Sequence, residues 1–385
     1  MGSLPPDTQE RSKPWIETPC LYSAALSKTA GCNIYLKLDI LQPSGSFKSR
    51  GIGNLMLRAL AKARSAGLTN ADVRFFCSSG GNAGLACATA ARDLGAPPAT
   101  IVVPTTTSPY MVAKLHAVGA DVRQVGENWA AADQHLRDHV MIAGSGDGTT
   151  PSTPTQVYVP PFDHPDLWAG AATIVDEVHA QLAPAGVHPD AFVCSVGGGG
   201  LFCGLMEGSE RLWGSTAAAP AGTPPPKILA VETRGAESLA ASVAAGHLVT
   251  LPGITSVATS LGATRVAPQA LAWCQEHPKR AVPLVVDDAE AVDAIVRFLD
   301  DTRLLAEPAC GAALAPVYTA ARNADGTSAA AKQQQQQQPS NLLRQHLGVG
   351  LNDREWAAHN VVIVVCGGSN INLDMLAGYR ARFGV

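Results

Sequence analysis

The chain has 385 residues, more than one ordinary core accommodates and enough for two domains or one two-lobed unit with a cleft. Its 46% hydrophobic and 16% charged residues exclude general disorder. With 28 basic against 32 acidic residues the formal charge is -4 and no block of like sign stands out, so neither nucleic acid nor a membrane surface is an expected partner.

Taken in chain order, the N-terminal "MGSLPPDTQERSKPW" lacks the apolar centre of a signal peptide, and nowhere do roughly 18 apolar residues run together, so a soluble protein is expected. Strands are predicted at "NIYLKLDI", "DVRFFC", "ATIVVP", "DVRQVG", "VYVPP", "AFVCSV", "KILAVE" and "VVIVVC". Helical spacing fills the gaps, as at 52–64, where Ile52, Leu55, Met56, Ala59 and Leu60 recur on one face. This alternation predicts an α/β protein with largely parallel sheets, helices on both faces, and functional loops after the carboxyl ends of strands. Residues 144–156 and 215–226 read as Gly/Pro/Thr-rich loops, and 322–358 as a polar low-complexity stretch around "QQQQQQP", expected to be mobile and without chemistry. No repeat of fixed period occurs. The nine cysteines sit inside apolar runs such as "FVCSV" and "LACAT", without metal-ligand or scaffold spacing, which points to reduced, buried thiols in the cytoplasm.

Three strand ends carry the chemistry. In "AFVCSVGGGGLFCGLMEGSERL" a strand leads through Gly197, Gly198, Gly199 and Gly200 into a helix starting near Leu201, where free N–H groups suit a phosphate. No register gives a dinucleotide GxGxxG, and the Gly-Lys-Ser/Thr of a P-loop is missing. The bland alternative is a flexible turn. In "RFFCSSGGNAGLACATAARDLG" the residues from Ser78 to Gly84 offer hydroxyls, an amide and free N–H groups that suit a carboxylate, or else an N-cap at Ser79 or Asn82. "VVIVVCGGSNINL" adds a third glycine turn at Cys366 to Asn370, expected to line the same cleft.

"PSGSFKSRG", residues 43 to 51, places Lys48 in the first turn of a predicted helix. The positive end of the helix dipole repels an ammonium there and lowers its pKa, which makes the amine nucleophilic. A lysine of this kind, a phosphate cup and a carboxylate loop together describe a Schiff-base enzyme that uses pyridoxal phosphate on an amino acid.

"PSGSFKSRG", "SSGGNAG", "SVGGGGL", "EPACGAAL" and "VCGGSNI", in that order, resemble the fold type II pyridoxal-phosphate enzymes, and among them the eukaryotic L-serine dehydratase/L-threonine deaminase group. The likeness runs from Thr18 to Asp374 and includes "YVPPFDHPDLWAG" and "LPGITSVATSLGA". It implies two open, twisted, mostly parallel sheets in a large and a small domain with the active site in the cleft. The large, cofactor-binding domain would comprise 1–41 and 142–385, with the low-complexity insertion at 322–358, and the small domain 42–141.

Position by position, the resemblance implies Lys48 as the Schiff-base lysine, with Phe47 on one face of the pyridine ring and Ser260 or a neighbour on the other. Asn82 would bond the ring's 3′ oxygen. Gly197, Gly198, Gly199, Gly200 and Leu201 would hold the phosphate through N–H groups, and Ser79, Gly81, Asn82 and Ala83 the substrate carboxylate. Cys366 matches the residue facing the pyridine nitrogen; a thiol cannot keep that nitrogen protonated, so elimination fits better than transamination. Glu232, Ala236 and Ser238 match the spacing of ligands to a monovalent cation such as K+, with Leu261 and Ala263 as alternative carbonyl donors. The implied reaction is β-elimination of L-serine, and of L-threonine, to pyruvate or 2-oxobutanoate and ammonia by a cytoplasmic homodimer. Lys48 would take the α-proton and the cofactor phosphate would protonate the leaving hydroxyl. Serine racemase is the nearest rival, but the serine that supplies its second proton aligns with Gly80 here, which carries none. A lyase for another β-substituted amino acid in a specialised pathway, or a binding protein without turnover, would also use this site. No regulatory domain is expected, since the chain stops soon after "CGGSN".

Overall fold

A computed structural model describes residues 13–141, 154–214, 224–322 and 340–385. The glutamine tract and most of the loops expected at 144–156 and 215–226 lie outside the described residues.

The chain forms two compact units. One holds residues 17–41, 45–47 and the chain from Phe162 onward; the other holds 13–16, Gln42–Ser44 and Lys48–Pro161. Ten strands are described: β1 Cys20–Tyr22, β2 Asn33–Lys37, β3 Val73–Cys77, β4 Thr100–Val103, β5 Asp121–Gln124, β6 Thr155–Tyr158, β7 Ala191–Ser195, β8 Lys227–Thr233, β9 Ala281–Val286 and β10 Asn360–Val364. The first unit carries a six-stranded sheet in the order β1-β2-β10-β7-β8-β9, parallel except for β1. The second carries the parallel sheet β5-β4-β3-β6.

All eight strands read from the sequence are present. The two that escaped it lie at the edges of the six-stranded sheet. β9 reads "AVPLVV", and a proline within an apolar run argues against a strand; Pro283 is tolerated because an edge strand has one side free of ladder bonds. β1 is only three residues long, and Leu21 and Tyr22 are exposed. Part of the expected low-complexity stretch is ordered: Asn341 caps the helix Leu342–Leu347, and Asn352 and Glu355 form a reciprocal cap on Asp353–Ala357. Leu342, Leu343, Leu347 and Trp356 are buried in the six-stranded unit's core, so polar composition between them concealed a set of anchors.

The central strands are buried along nearly their whole length, as expected of parallel strands covered on both faces; every residue of β7 is buried. Helix Pro308–Tyr318, apolar all round, has no exposed face and packs on β7, β8 and β10. In the four-stranded unit, helix Lys48–Ser65 buries Ile52, Leu55, Met56 and Leu60, the stripe its spacing predicted, and packs against helix Asn82–Asp93.

One ion pair ties β2 to helix Pro165–Leu182. Lys37 is fully buried, and its Nζ donates to Thr18 O at 2.5 Å, to Glu177 Oε2 at 2.7 Å and to Gln181 Oε1 at 3.3 Å. Removing one partner strands the other charge in the interior. Glu177→Ala is expected to lower the unfolding free energy by about 3 kcal/mol, read from urea denaturation, whereas replacing both residues with apolar ones of similar volume costs about 1 kcal/mol or less. Equal losses in both variants would refute the stranded-charge account.

Candidate active site

In the six-stranded unit, the register of β10 on β7 pairs Val361 with Ala191, Val362 with Phe192 and Ile363 with Val193, so the two strand ends emerge side by side. Ser195 and Cys366 sit at those ends, Oγ to Sγ 3.3 Å, both buried. Hydrogen bonding with the Cys310 thiol and then burial push the Cys366 thiol well above its ordinary pKa, so it is a neutral group.

Two residues beyond Ser195 the glycine loop begins. It enters helix Gly200–Trp213, whose first N–H groups have no intrahelical acceptor. A Cβ added at Gly198 would lie 2.0 Å from the ring of Phe162, and one at Gly197 would lie 2.9 Å from the Leu261 backbone. Gly199 has φ +91°, a conformation that favours glycine. The glycines are therefore demanded first by protein that already fills the space behind the loop. That differs from a loop left bare solely for a ligand, and it leaves backbone amides as the loop's remaining surface. Ala267 N donates to Gly198 O at 3.0 Å and holds its turn.

The segment before Lys48 is laid against the end of β10. Phe47 N donates to Cys366 O at 2.8 Å, Gly368 N donates to Gly45 O at 3.2 Å, and Ser46 bridges to Gly367. The six-stranded unit thus gathers Phe47, Ser195, the glycine loop, the Leu261 segment and Cys366. Ser260 is exposed beside Leu261.

Glu232 lies at the end of β8 and is fully buried. Both its oxygens accept from the start of helix Ser238–Ala245, from Leu239 N and Ala240 N at 2.8 Å each. Burial raises its pKa to about 8, against the lowering effect of those two bonds. Ala236 and Ser238 are buried on the same turn, and the Ser238 hydroxyl has no hydrogen-bond partner.

In the four-stranded unit, helix Lys48–Ser65 starts at the lysine itself, and Nζ donates to Pro161 O. The loop from Ser78 to Gly81 leads from β3 into helix Asn82–Asp93. Its N-cap is Gly81 and no side chain caps it, so neither Ser79 nor Asn82 serves as the cap. Ser79 Oγ instead accepts from Gly81 N at 3.3 Å. A Cβ on Gly80 would lie 2.7 Å from Thr107 Cγ2, so a serine there would have to displace Thr107.

Several of these residues had no sequence signal. Pro161 acts through a carbonyl that every residue has. Phe162 and Ser195 stand inside recognisable motifs, yet their roles depend on what packs against them. Among the described residues no cluster of three or more His, Cys, Asp or Glu side chains could hold a metal ion, and no helix is long and apolar enough to cross a membrane.

Comparison with known proteins matches residues 12–331 to the family model "Pyridoxal-phosphate dependent enzyme". The chain is 42% identical over 371 residues to the L-serine dehydratase/L-threonine deaminase of Homo sapiens, covering 96% of each chain. It is 42% identical over 287 residues to an L-serine dehydratase of Saccharomyces cerevisiae, covering 74% of this chain and 80% of that one. Among solved structures it is similar to a fungal L-serine ammonia-lyase from Rhizomucor miehei, with a TM-score of 0.75 and 32% identity over 96% of this chain and 99% of the other. The strand-end glycine loop, the lysine that opens a helix and the neutral thiol therefore stand in a chain that belongs to the pyridoxal-phosphate dependent enzymes.

Proposed function

We propose that the protein eliminates water from L-serine, and from L-threonine, to give pyruvate or 2-oxobutanoate and ammonia. The observation that carries this reading is the pairing of a glycine loop whose backbone amides suit a phosphate with a buried neutral thiol at the next strand end, in a chain whose relatives are named serine dehydratases. The residues fit pyridoxal phosphate: the loop's side-chain space is filled by Phe162 and Leu261, which leaves amide groups to meet a phosphate.

Bound there, pyridoxal phosphate supplies the electron sink that acidifies the α-proton of an amino acid. Lys48 would hold the cofactor, and its freed amine would take the α-proton. Asn82, Phe47 and Ser260 would hold the cofactor's ring, and the amides of Gly197 to Leu201 would hold its phosphate without neutralising its charge. A phosphate held by amides alone would remain basic and would supply a proton to the departing β-hydroxyl. Ser79, Gly81, Asn82 and Ala83 hold the carboxylate. The neutral Cys366 thiol would supply no full proton to the cofactor, which would favour expulsion of the β-group over reprotonation elsewhere. Gly80 has no group to deliver a proton to the opposite face. The enzyme acts as a homodimer in the cytosol, where nine free cysteines, eight of them buried, suit a reducing compartment.

Lys48→Ala is expected to abolish both turnover and the visible absorbance of the bound cofactor; a variant that keeps both refutes the assignment. Appearance of D-serine from L-serine in the wild type would favour racemisation. Gly198→Ala pushes a methyl into Phe162 and is expected to weaken pyridoxal phosphate about tenfold or more in titrations of the apoenzyme. Unchanged affinity would remove the loop from the phosphate site.

A monovalent cation such as K+ at Glu232, Ala236 and Ser238 completes the proposal. A carboxyl raised to about 8 is protonated more readily folded than unfolded. Its contribution to stability is present below the ordinary carboxyl pKa and lost as pH rises to about 8. Melting temperature in tetramethylammonium chloride should thus fall between pH 5 and 8, and K+ should flatten that fall by favouring the ionised carboxylate. An identical pH profile in both salts would eliminate the cation site.

A further inference from the structure

Among its described residues, the four-stranded unit contains one buried carboxylate that the proposed reaction does not use. Asp133 lies on the helix Trp129–His135 and is 9% exposed. Its Oδ1 accepts two hydroxyls, Ser78 Oγ at 2.6 Å and Tyr158 OH at 2.6 Å, and its Oδ2 accepts Arg137 Nε at 2.9 Å. The Arg137 guanidinium also lies 4.0 Å over the Tyr158 ring. Burial and the bond to Asp133 push the Tyr158 phenol well above its ordinary pKa, so it stays a donor.

The two hydroxyls come from informative places. Ser78, fully buried, is the first residue of the loop that leads to Ser79, Gly81, Asn82 and Ala83. That loop is tight on its other side, since a Cβ on Gly84 would lie 1.8 Å from Ser79 O. Tyr158 ends β6, paired in register with Phe76 of β3, and Val159 N donates to Phe76 O at 2.7 Å. Three residues past Tyr158 is Pro161, whose carbonyl accepts from Lys48 Nζ. One carboxylate therefore grips the carboxylate-binding loop and the segment that receives the lysine. Burying an aspartate is costly, and apolar residues would pack β3 against β6 more cheaply.

We infer that Asp133 is a positioning residue, fixing the substrate-carboxylate loop through Ser78 and the Lys48 acceptor segment through Tyr158. The inference rests on the function proposed above and adds residues that lie outside its site. It assigns the two arms separate effects: loosening Ser78 should impair capture of the substrate carboxylate, and loosening Tyr158 should impair the lysine's step.

The test uses the full-length holoenzyme and L-alanine, which has the amine and carboxylate but no leaving hydroxyl. Its dissociation constant is read from the change it causes in the cofactor's visible spectrum. Ser78→Ala is expected to raise this constant, and KM for L-serine, about tenfold, with kcat and pyridoxal phosphate affinity little changed. Ser78→Thr, which keeps the hydroxyl, should restore both. Tyr158→Phe should lower kcat with KM little changed. Asp133→Asn should show both effects, and adding Ser78→Ala to it should bring no further rise in the L-alanine constant, because the two residues make one contact. An unchanged L-alanine constant in Ser78→Ala, additive losses in the double variant, or Ser78→Thr as impaired as Ser78→Ala would each overturn the inference. If L-alanine leaves the wild-type spectrum unaltered and no L-serine is consumed, the proposed function itself fails, an outcome separate from wild-type binding with unaffected variants.

Discussion

The ladder between β7 and β10 is the constraint on which the six-stranded unit's chemistry depends. Those strands are neighbours in space although nearly the whole second half of the chain separates them in sequence. Their common register delivers Ser195 and Cys366 to adjoining positions, and from these two ends everything else is placed. The glycine loop departs beyond Ser195, and the segment carrying Phe47 is hydrogen-bonded onto the turn beyond Cys366. A slip of one residue in either strand would turn that strand's end to the opposite face of the sheet. Because β7 is buried along its length and β10 from Val361 to Val364, such a slip would also break the core, so the same burial that stabilises the unit specifies the site.

The groups gathered there are mostly uncharged. The glycine loop offers amide groups, Cys366 a neutral thiol, and Glu232 a carboxyl whose ionisation burial opposes. A cationic phosphate clamp would bind more tightly but would also hold the phosphate as a spectator anion. Amide dipoles orient a phosphate while leaving its proton affinity high, which suits a reaction that must move a proton onto a poor leaving group. In the four-stranded unit, Asp133 takes no part in the proposed chemistry and is surrounded by donors. The role inferred for it is mechanical: two hydrogen bonds, to Ser78 and Tyr158, fix the distance between two backbone segments, and Arg137 compensates its charge.

Much of this was legible in the sequence. The alternation of β-branched runs with helical spacing announced a parallel α/β protein, and the glycine turns after "FVCSV" and "IVVC" were visible as breaks at strand ends, since local order and backbone freedom are properties of short windows. What escaped was decided by neighbours. β9 was hidden by Pro283, harmless only because the strand lies at a sheet edge. The helices at 342–347 and 353–357 were hidden by polar residues that separate a few buried anchors. Phe162 looked like one aromatic in a loop until its ring proved to occupy the space that makes Gly198 necessary.

By itself the sequence determined the fold class, the strand-end glycine loops and the lysine that opens a helix, because each is written in contiguous residues whose propensities act locally. Only the tertiary structure decided that a thiol would face a serine from a distant strand, that Glu232 would cap the helix following it, and that Asp133 would join Ser78 to Tyr158. These contacts arise from pairing and burial between segments far apart in the chain, and no local pattern encodes which distant partner a buried polar group will meet.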